Sequence, residues 1–278
     1  MPVVAVVNRK GGSGKSTLAT HLAAYCANNG MPVMLGDVDR QQSTRAWLRL
    51  RELQQLPGRA PIVGWKVDPK NVLRPPAGIA HVVLDTPGGL RDFALARVVM
   101  SADAILLPVC NSVFDRESAA DCYAELLKLP RVASGRCKVA AVGMRLDART
   151  KAHDVLAQWA ARLNLPFIGV LRDTQGYVRC VERGLTLFDL PVAQVQADLA
   201  QWQPILQWLE PVLNRAPAAS SVEAARPAAK PIVKVATPAP PRVPVQRLRA
   251  EPPGATTATR IGRLLDALGL PRLLQRGS

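Results

Sequence analysis

The chain has 278 residues, 48% hydrophobic and 21% charged, enough for one large domain or two small ones and too apolar for wholesale disorder. Its 36 Lys+Arg against 21 Asp+Glu give a formal net charge of +15, which favours an anionic partner (nucleic acid, a membrane face or nucleotide phosphates) without choosing among them. No apolar run approaches the roughly 18 residues of a membrane span. Five dispersed cysteines without a Cys-x-x-Cys pair, three dispersed histidines, and an N-terminus with no basic region or cleavage site lead us to expect a soluble cytoplasmic protein with reduced thiols and no Cys/His metal cluster.

Taken in chain order, Val3 to Val7 is a continuous, mostly β-branched run, the pattern of a strand buried on both faces of a parallel sheet. A glycine-rich loop, Asn8 to Thr17, follows, and then Leu18, His21, Leu22, Tyr25 and Cys26 at helical spacing. A second strand is predicted from Pro32 towards Asp39 and a third from His81 to Asp85, followed by Thr86-Pro87-Gly88-Gly89. Strands Ile105–Val109, Val139–Val142 and Phe167–Val170 alternate with helical stretches, so the fold class is α/β, a mainly parallel sheet flanked by helices.

The composition changes near Asn214. Residues 214–258 hold nine Pro and twelve Ala in 45 positions and no aromatic, a composition that cannot bury a core and reads as an extended linker. Ile261, Leu264, Leu265 and Leu268 then fall at i, i+3, i+4, i+7, a short amphipathic helix within 259–278. The predicted organisation is a globular domain over 1–213, a linker over 214–258 and a terminal helix. Residues 1–213 carry 25 Lys+Arg and 18 Asp+Glu; residues 214–278 carry 11 and 3, so the tail holds +8 of the +15.

Strand, glycine-rich loop and helix in that order make a phosphate loop. Its backbone amides (Gly11, Gly12, Ser13, Gly14) would wrap a β-phosphate at a helix N-terminus, Lys15 would neutralise phosphate oxygens, Ser16 would ligate Mg²⁺, and Thr17 completes the nucleotide-binding stretch. The usual loop begins with glycine six residues before its lysine, whereas here that position is Arg9 and a second lysine, Lys10, follows. This Lys-Gly-Gly-Ser-Gly-Lys-Ser-Thr run resembles the deviant Walker A loop of the ParA/MinD family of partitioning and positioning ATPases.

The resemblance implies an ATP-sandwiched homodimer in which Lys10 acts in trans and Lys15 in cis. Asp37-Val38-Asp39, followed by Arg40-Gln41-Gln42-Ser43-Thr44, is similar to the family's Asp-x-Asp-Pro-Gln segment, with arginine in place of proline. By that resemblance Asp39 positions the attacking water near Mg²⁺ and Asp37 supports it. The His81–Asp85 strand resembles Walker B, with Asp85 contacting Mg²⁺ and the following loop sensing the γ-phosphate. Catalytic roles thus fall to Lys10, Lys15 and Asp39, and metal contacts to Ser16, Asp39 and Asp85.

Gly143 to Lys151 is similar to the family's Leu-Asp-Ala-Arg-Thr stretch, which implies sequence-independent binding of double-stranded DNA through Arg149 with Arg145 and Lys151 nearby. Leu171 to Arg179 sits where the family has Ile-Pro-Arg-Asn beside its adenine contacts, with Arg172 in place of the proline; Arg172 and Arg179 join the candidate DNA cations. Such a set would bind through phosphates with steep salt dependence and no base readout. The expected activity is therefore a Mg²⁺-dependent ATPase acting as a dimerisation switch that binds DNA nonspecifically, with a partner protein or cargo adaptor that stimulates hydrolysis, located in the cytoplasm on the nucleoid. The alternatives are a MinD-like membrane cycle using the terminal helix, flanked by Arg260, Arg263, Arg272 and Arg276, and a metal-cluster carrier, against which the lack of Cys-x-x-Cys argues. The tail itself fits a partner hook, a membrane contact or packing on its own domain.

Overall fold

A computed structural model describes residues 1–37, 43–66, 78–147 and 149–214. Asp39, the proposed linker and the terminal helix lie outside the described residues. Among the described residues seven strands form one sheet: β1 (Val3–Val6), β2 (Val33–Asp37), β3 (Ile62–Lys66), β4 (His81–Asp85), β5 (Ala104–Val109), β6 (Lys138–Leu146) and β7 (Phe167–Arg172). Their order is β3-β2-β4-β1-β5-β6-β7 and every pairing is parallel. Strands β1, β2, β4 and β5 are buried at every position, as expected of a parallel sheet covered on both faces.

Helices α1 (Lys15–Asn28), α2 (Ser43–Glu52), α7 (Gln175–Glu182) and α8 (Val192–Leu213) contribute to one core, where Leu18, Leu22, Trp47, Trp202 and Ile205 close over the sheet. Helices α3 (Asp92–Ser101), α4 (Val113–Leu127) and α6 (Ala152–Arg162) pack on the opposite face through Leu95, Val98, Cys122, Leu126 and Leu156, with the one-turn α5 (Pro130–Ala133) between α4 and β6. No helix among the described residues is long and apolar enough to cross a membrane.

The connections from β1 and β4, which are neighbours, leave for opposite faces: α1 joins the first core and α3 the second. A crevice opens at the carboxyl ends of strands where connections part in this way, and there open α/β sheets bind ligands. The loops after β1 and β4 both lie at that position.

Two elements add to those named from the sequence. Strand β3, with Gly64 and Trp65, is an edge strand added by pairing with β2. Helix α8 runs for 22 residues through Pro204 and Pro211; burial of Trp202, Ile205 and Leu209 outweighs the hydrogen bonds that the prolines forfeit. Its end is held to the start of β4 by His81 Nε2, 2.8 Å from the Leu213 carbonyl.

Candidate functional site

The loop after β1 is shaped by its own polar groups. Asn8, buried, donates from Nδ2 to the Pro108 carbonyl at 2.6 Å and accepts the Lys10 amide at 3.0 Å, which fixes the turn away from the strand. Gly12 and Gly14 take φ values of 74° and 94°, in the region that a side chain disfavours. Gly14 is the N-cap of α1 and has no side chain with which to cap it, so the first-turn amides are left to an external anion.

Both lysines of the loop have partners inside the protein. Lys15 is buried and its Nζ donates to the Lys10 carbonyl at 2.8 Å. Lys10 Nζ lies 2.6 Å from Asp115 Oδ1 in the first turn of α4. Asp115 is further held by Ser112, whose hydroxyl donates to Oδ2 at 2.5 Å and accepts the Asp115 amide at 3.1 Å. Burial pushes the Asp115 carboxyl pKa up, but the hydrogen bonds from Lys10 and Ser112 outweigh it and hold the group below its ordinary value.

Across the crevice, Asp37 and Asp85 end adjacent strands, stand in register and are both buried. Asp37 accepts the Thr44 hydroxyl at 2.7 Å. Two carboxylates side by side at the strand ends are hard-oxygen donors of the kind Mg²⁺ takes, and Ser16 stands in the first turn of α1. The loop after Asp85 is folded against the phosphate loop: Thr86 Oγ1 donates to the Val6 carbonyl at 2.7 Å, and the Gly89 amide to the Arg9 carbonyl at 2.6 Å. A Cβ on Gly88 would stand 3.3 Å from both the nitrogen and Cα of Gly11, so the two loops meet backbone to backbone.

A cavity of about 240 Å³ lies beside the start of α1, lined by Gly14, Thr17, Met144, Arg145, Asp173 and Tyr177 among others. Arg145 reaches it through a break in the β6–β7 ladder: Met144 pairs with Leu171 and Leu146 with Arg172, so Arg145 is skipped, at φ 55°. A bulge of this kind turns a side chain out of the sheet beside a site.

The remaining candidate cations are dispersed. Arg149 is 89% exposed and makes a two-pronged contact with Asp147, its Nε and Nη2 at 3.1 and 3.0 Å. Lys151 is the exposed N-cap of α6, and Arg179 is exposed on α7. Arg172 is bound through Nε and Nη2 to Asp198 of α8, at 2.5 and 3.1 Å, and so carries its counter-charge with it. Sequence reasoning missed Asp115 and Glu125, the partners of Lys10 and Arg9. Ser112-x-x-Asp115, a capping-type spacing at the start of a helix, is the one local signal for the first.

Residues 4–188 match the family model described as the CobQ/CobB/MinD/ParA nucleotide-binding domain. The chain belongs to that family. It is 38% identical over 118 residues to the maintenance of carboxysome distribution protein A of Gloeobacter kilaueensis, covering 41% of this chain and 51% of that one. It is 30% identical over 115 residues to protein ParA of Rhizobium radiobacter, with the same coverage of each. The chain thus spans about half the length of the curated relatives it matches. Among solved structures, the septum site-determining protein MinD complexed with Mg-ADP from Pyrococcus horikoshii superposes with a TM-score of 0.57 at 14% identity, over 77% of this chain and 99% of that chain. At that identity the likeness establishes the fold alone, the P-loop fold of the MinD/ParA type.

Proposed function

We propose that the protein is an ATP-driven dimerisation switch that hydrolyses ATP slowly, binds double-stranded DNA without sequence preference while dimeric, and serves to partition or position a cargo. The observation that carries this reading is the pairing of two lysines on one phosphate loop, Lys15 turned into the loop and Lys10 held at its rim by Asp115. One lysine suffices to bind phosphate; a second, partly exposed at the rim, suits reach to a partner's nucleotide. The name of one matched relative, a maintenance of carboxysome distribution protein, points the same way.

In this reading the uncapped start of α1 and the amides of Gly11 to Gly14 bind phosphate oxygens, Lys15 exchanges the Lys10 carbonyl for them, and Lys10 leaves Asp115 for the partner's phosphates. Ser16 and Asp85, with Asp39 outside the described residues, would hold Mg²⁺, which would supply charge neutralisation for the triphosphate. Asp39 would also orient the attacking water. The 240 Å³ cavity has the size and position for the nucleotide base. Arg149, with Arg145, Lys151 and Arg179, would meet DNA phosphates, and a partner protein would accelerate release by stimulating hydrolysis.

The test is light scattering and DNA co-sedimentation with ATP and with ADP. Wild type should dimerise and sediment with DNA only with ATP. Lys10→Ala should keep nucleotide binding and lose the dimer; a dimer that persists in this variant sinks the assignment of the second lysine.

A further inference from the structure

The residue that replaces the usual first glycine of the phosphate loop is tied to two other segments at once. The Arg9 guanidinium forms an ion pair with Glu125 near the end of α4, the two side chains being 18% and 19% exposed. The second oxygen of Glu125 accepts the Asp92 amide at 2.7 Å. Asp92 is the first residue of α3, stands at φ 49°, and follows an N-cap, Arg91, that offers no side-chain bond to the helix. The main chain of Arg9 meanwhile accepts the Gly89 amide at 2.6 Å. The loop between β4 and α3 is thus gripped at both ends by one residue, at Gly89 through the Arg9 carbonyl and at Asp92 through Arg9 and Glu125. A glycine at position 9 would supply the first grip and not the second.

We propose that Arg9 and Glu125 are positioning residues that couple occupancy of the phosphate loop to the seating of helix α3. The proposal rests on the nucleotide reading given above. A shift of main chain at residues 9–11, where phosphate would bind, moves Gly89 through a hydrogen bond and Asp92 through an ion pair, so the whole 86–92 segment follows. A left-handed aspartate is a conformation that needs outside support, and the support comes from the carboxylate that holds Arg9. The pair is charge-assisted and partly shielded, hence stiff enough to transmit a displacement: burial lowers the Arg9 pKa, but its bond to Glu125 outweighs this and raises it, while Glu125 is held below its ordinary range despite its own burial. The buried Arg9 Nε–H has no hydrogen-bond partner among the described residues, so the clamp is not saturated as a purely structural pair would be. The moved helix carries an outward face of Phe93, with Arg97 over its ring at 5.8 Å, and Met100, 76% and 64% exposed for the two apolar residues.

Hydrogen exchange of the full chain, with and without Mg²⁺ and a slowly hydrolysed ATP analogue, separates coupling from simple support. Wild type should gain protection at residues 10–17 and at 89–95. In Arg9→Ala the first response should remain while the second falls by about tenfold or more. Glu125→Gln keeps an oxygen for the Asp92 amide but breaks the ion pair, and should behave in the same way; Arg9→Lys, which keeps the charge, should retain part of the response. A response at 89–95 that is unchanged in Arg9→Ala and Glu125→Gln overturns the coupling, as does loss of both responses together, the mark of a pair that only holds the loop in shape. No protection at 10–17 in wild type would instead remove the nucleotide reading, and the coupling with it.

Discussion

Two ion pairs, one near each end of the phosphate-loop helix, are built on opposite terms. Arg51 of α2 grips both oxygens of Asp189 at 2.8 and 2.9 Å, and Asp189 also receives the amide and hydroxyl of Thr186 and the side-chain amide of Asn28, with side-chain exposures of 9% and 0%. Lys10 and Asp115 share a single contact, 39% and 12% exposed, on a carboxylate that keeps Ser112 when the lysine leaves. Breaking the first strands a buried charge among groups arranged for it; the second opens to water and a hydroxyl. The first is scaffold; the second is the pair that exchanges partners in the proposed function.

The largest effect should come from breaking the closed pair. Asp189→Ala should lower stability by about 3–5 kcal/mol, the range for removing one partner of a buried pair, and the melting temperature by roughly 10 °C for a domain of this size. A loss below about 1 kcal/mol in urea unfolding would erase the contrast. Next is Gly184→Ala, because a Cβ there would stand 2.2 Å from the Arg51 nitrogen and φ is already 69°. Both obstacles are backbone, so α2 must move from the segment that Arg51 and Trp47 hold. We expect a loss of about 2–3 kcal/mol, the upper range for overpacking, read by the same titration.

A third break uses protons. His21 is fully buried, stacked on Trp202 at 5.6 Å and 9°, donating from Nδ1 to the Thr17 carbonyl and accepting the Leu187 amide at Nε2. Burial lowers its pKa from 6.5 to about 4. The unfolded chain therefore binds a proton between those values that the native state refuses, so stability falls as pH drops from 6.5 to 4, by up to about 3 kcal/mol. The carboxylates held below their ordinary values of 3.8 for Asp189 and Asp115 and 4.5 for Glu125 contribute stability that is lost only as pH falls below those values, which leaves the upper window to histidine. Urea midpoints at pH 5 and 7 should differ in wild type and converge in His21→Gln; a pH slope kept by that variant assigns the effect elsewhere.

Why one region was readable and the other was not follows from distance along the chain. The phosphate loop is written in ten consecutive residues between a β-branched run and a helical pattern, and the same local logic exposed strands β1, β2, β4 and β5. Edge strand β3 lacks that pattern and exists because β2 offers a partner. Helix α8 continues through two prolines because Trp202, Ile205 and Leu209 are buried, a tertiary cause. Asp115 and Glu125 lie 105 and 116 residues from the loop side chains they hold. Arg172 reads as one more surface cation until Asp198, from helix α8, is found against it. Spacing reports which residues share an element; it is silent on which elements face each other.

The smallest structural effects belong to the open pairs. Lys10→Ala removes a partly exposed contact from a carboxylate that keeps Ser112, and should cost at most about 1 kcal/mol, as exposed pairs do, while abolishing the proposed ATP-dependent dimer. Arg149→Ala removes a cation 89% exposed, whose bond to Asp147 raises its own pKa and lowers that of Asp147 in full contact with water. The melting temperature should not move. Under the proposed function, DNA co-sedimentation with ATP should weaken, and because each lost phosphate contact removes one released counterion, the salt slope should fall by about one. Co-sedimentation that matches wild type at every salt concentration would show that Arg149 serves only Asp147, and would leave the exchangeable chemistry of the protein confined to the phosphate loop.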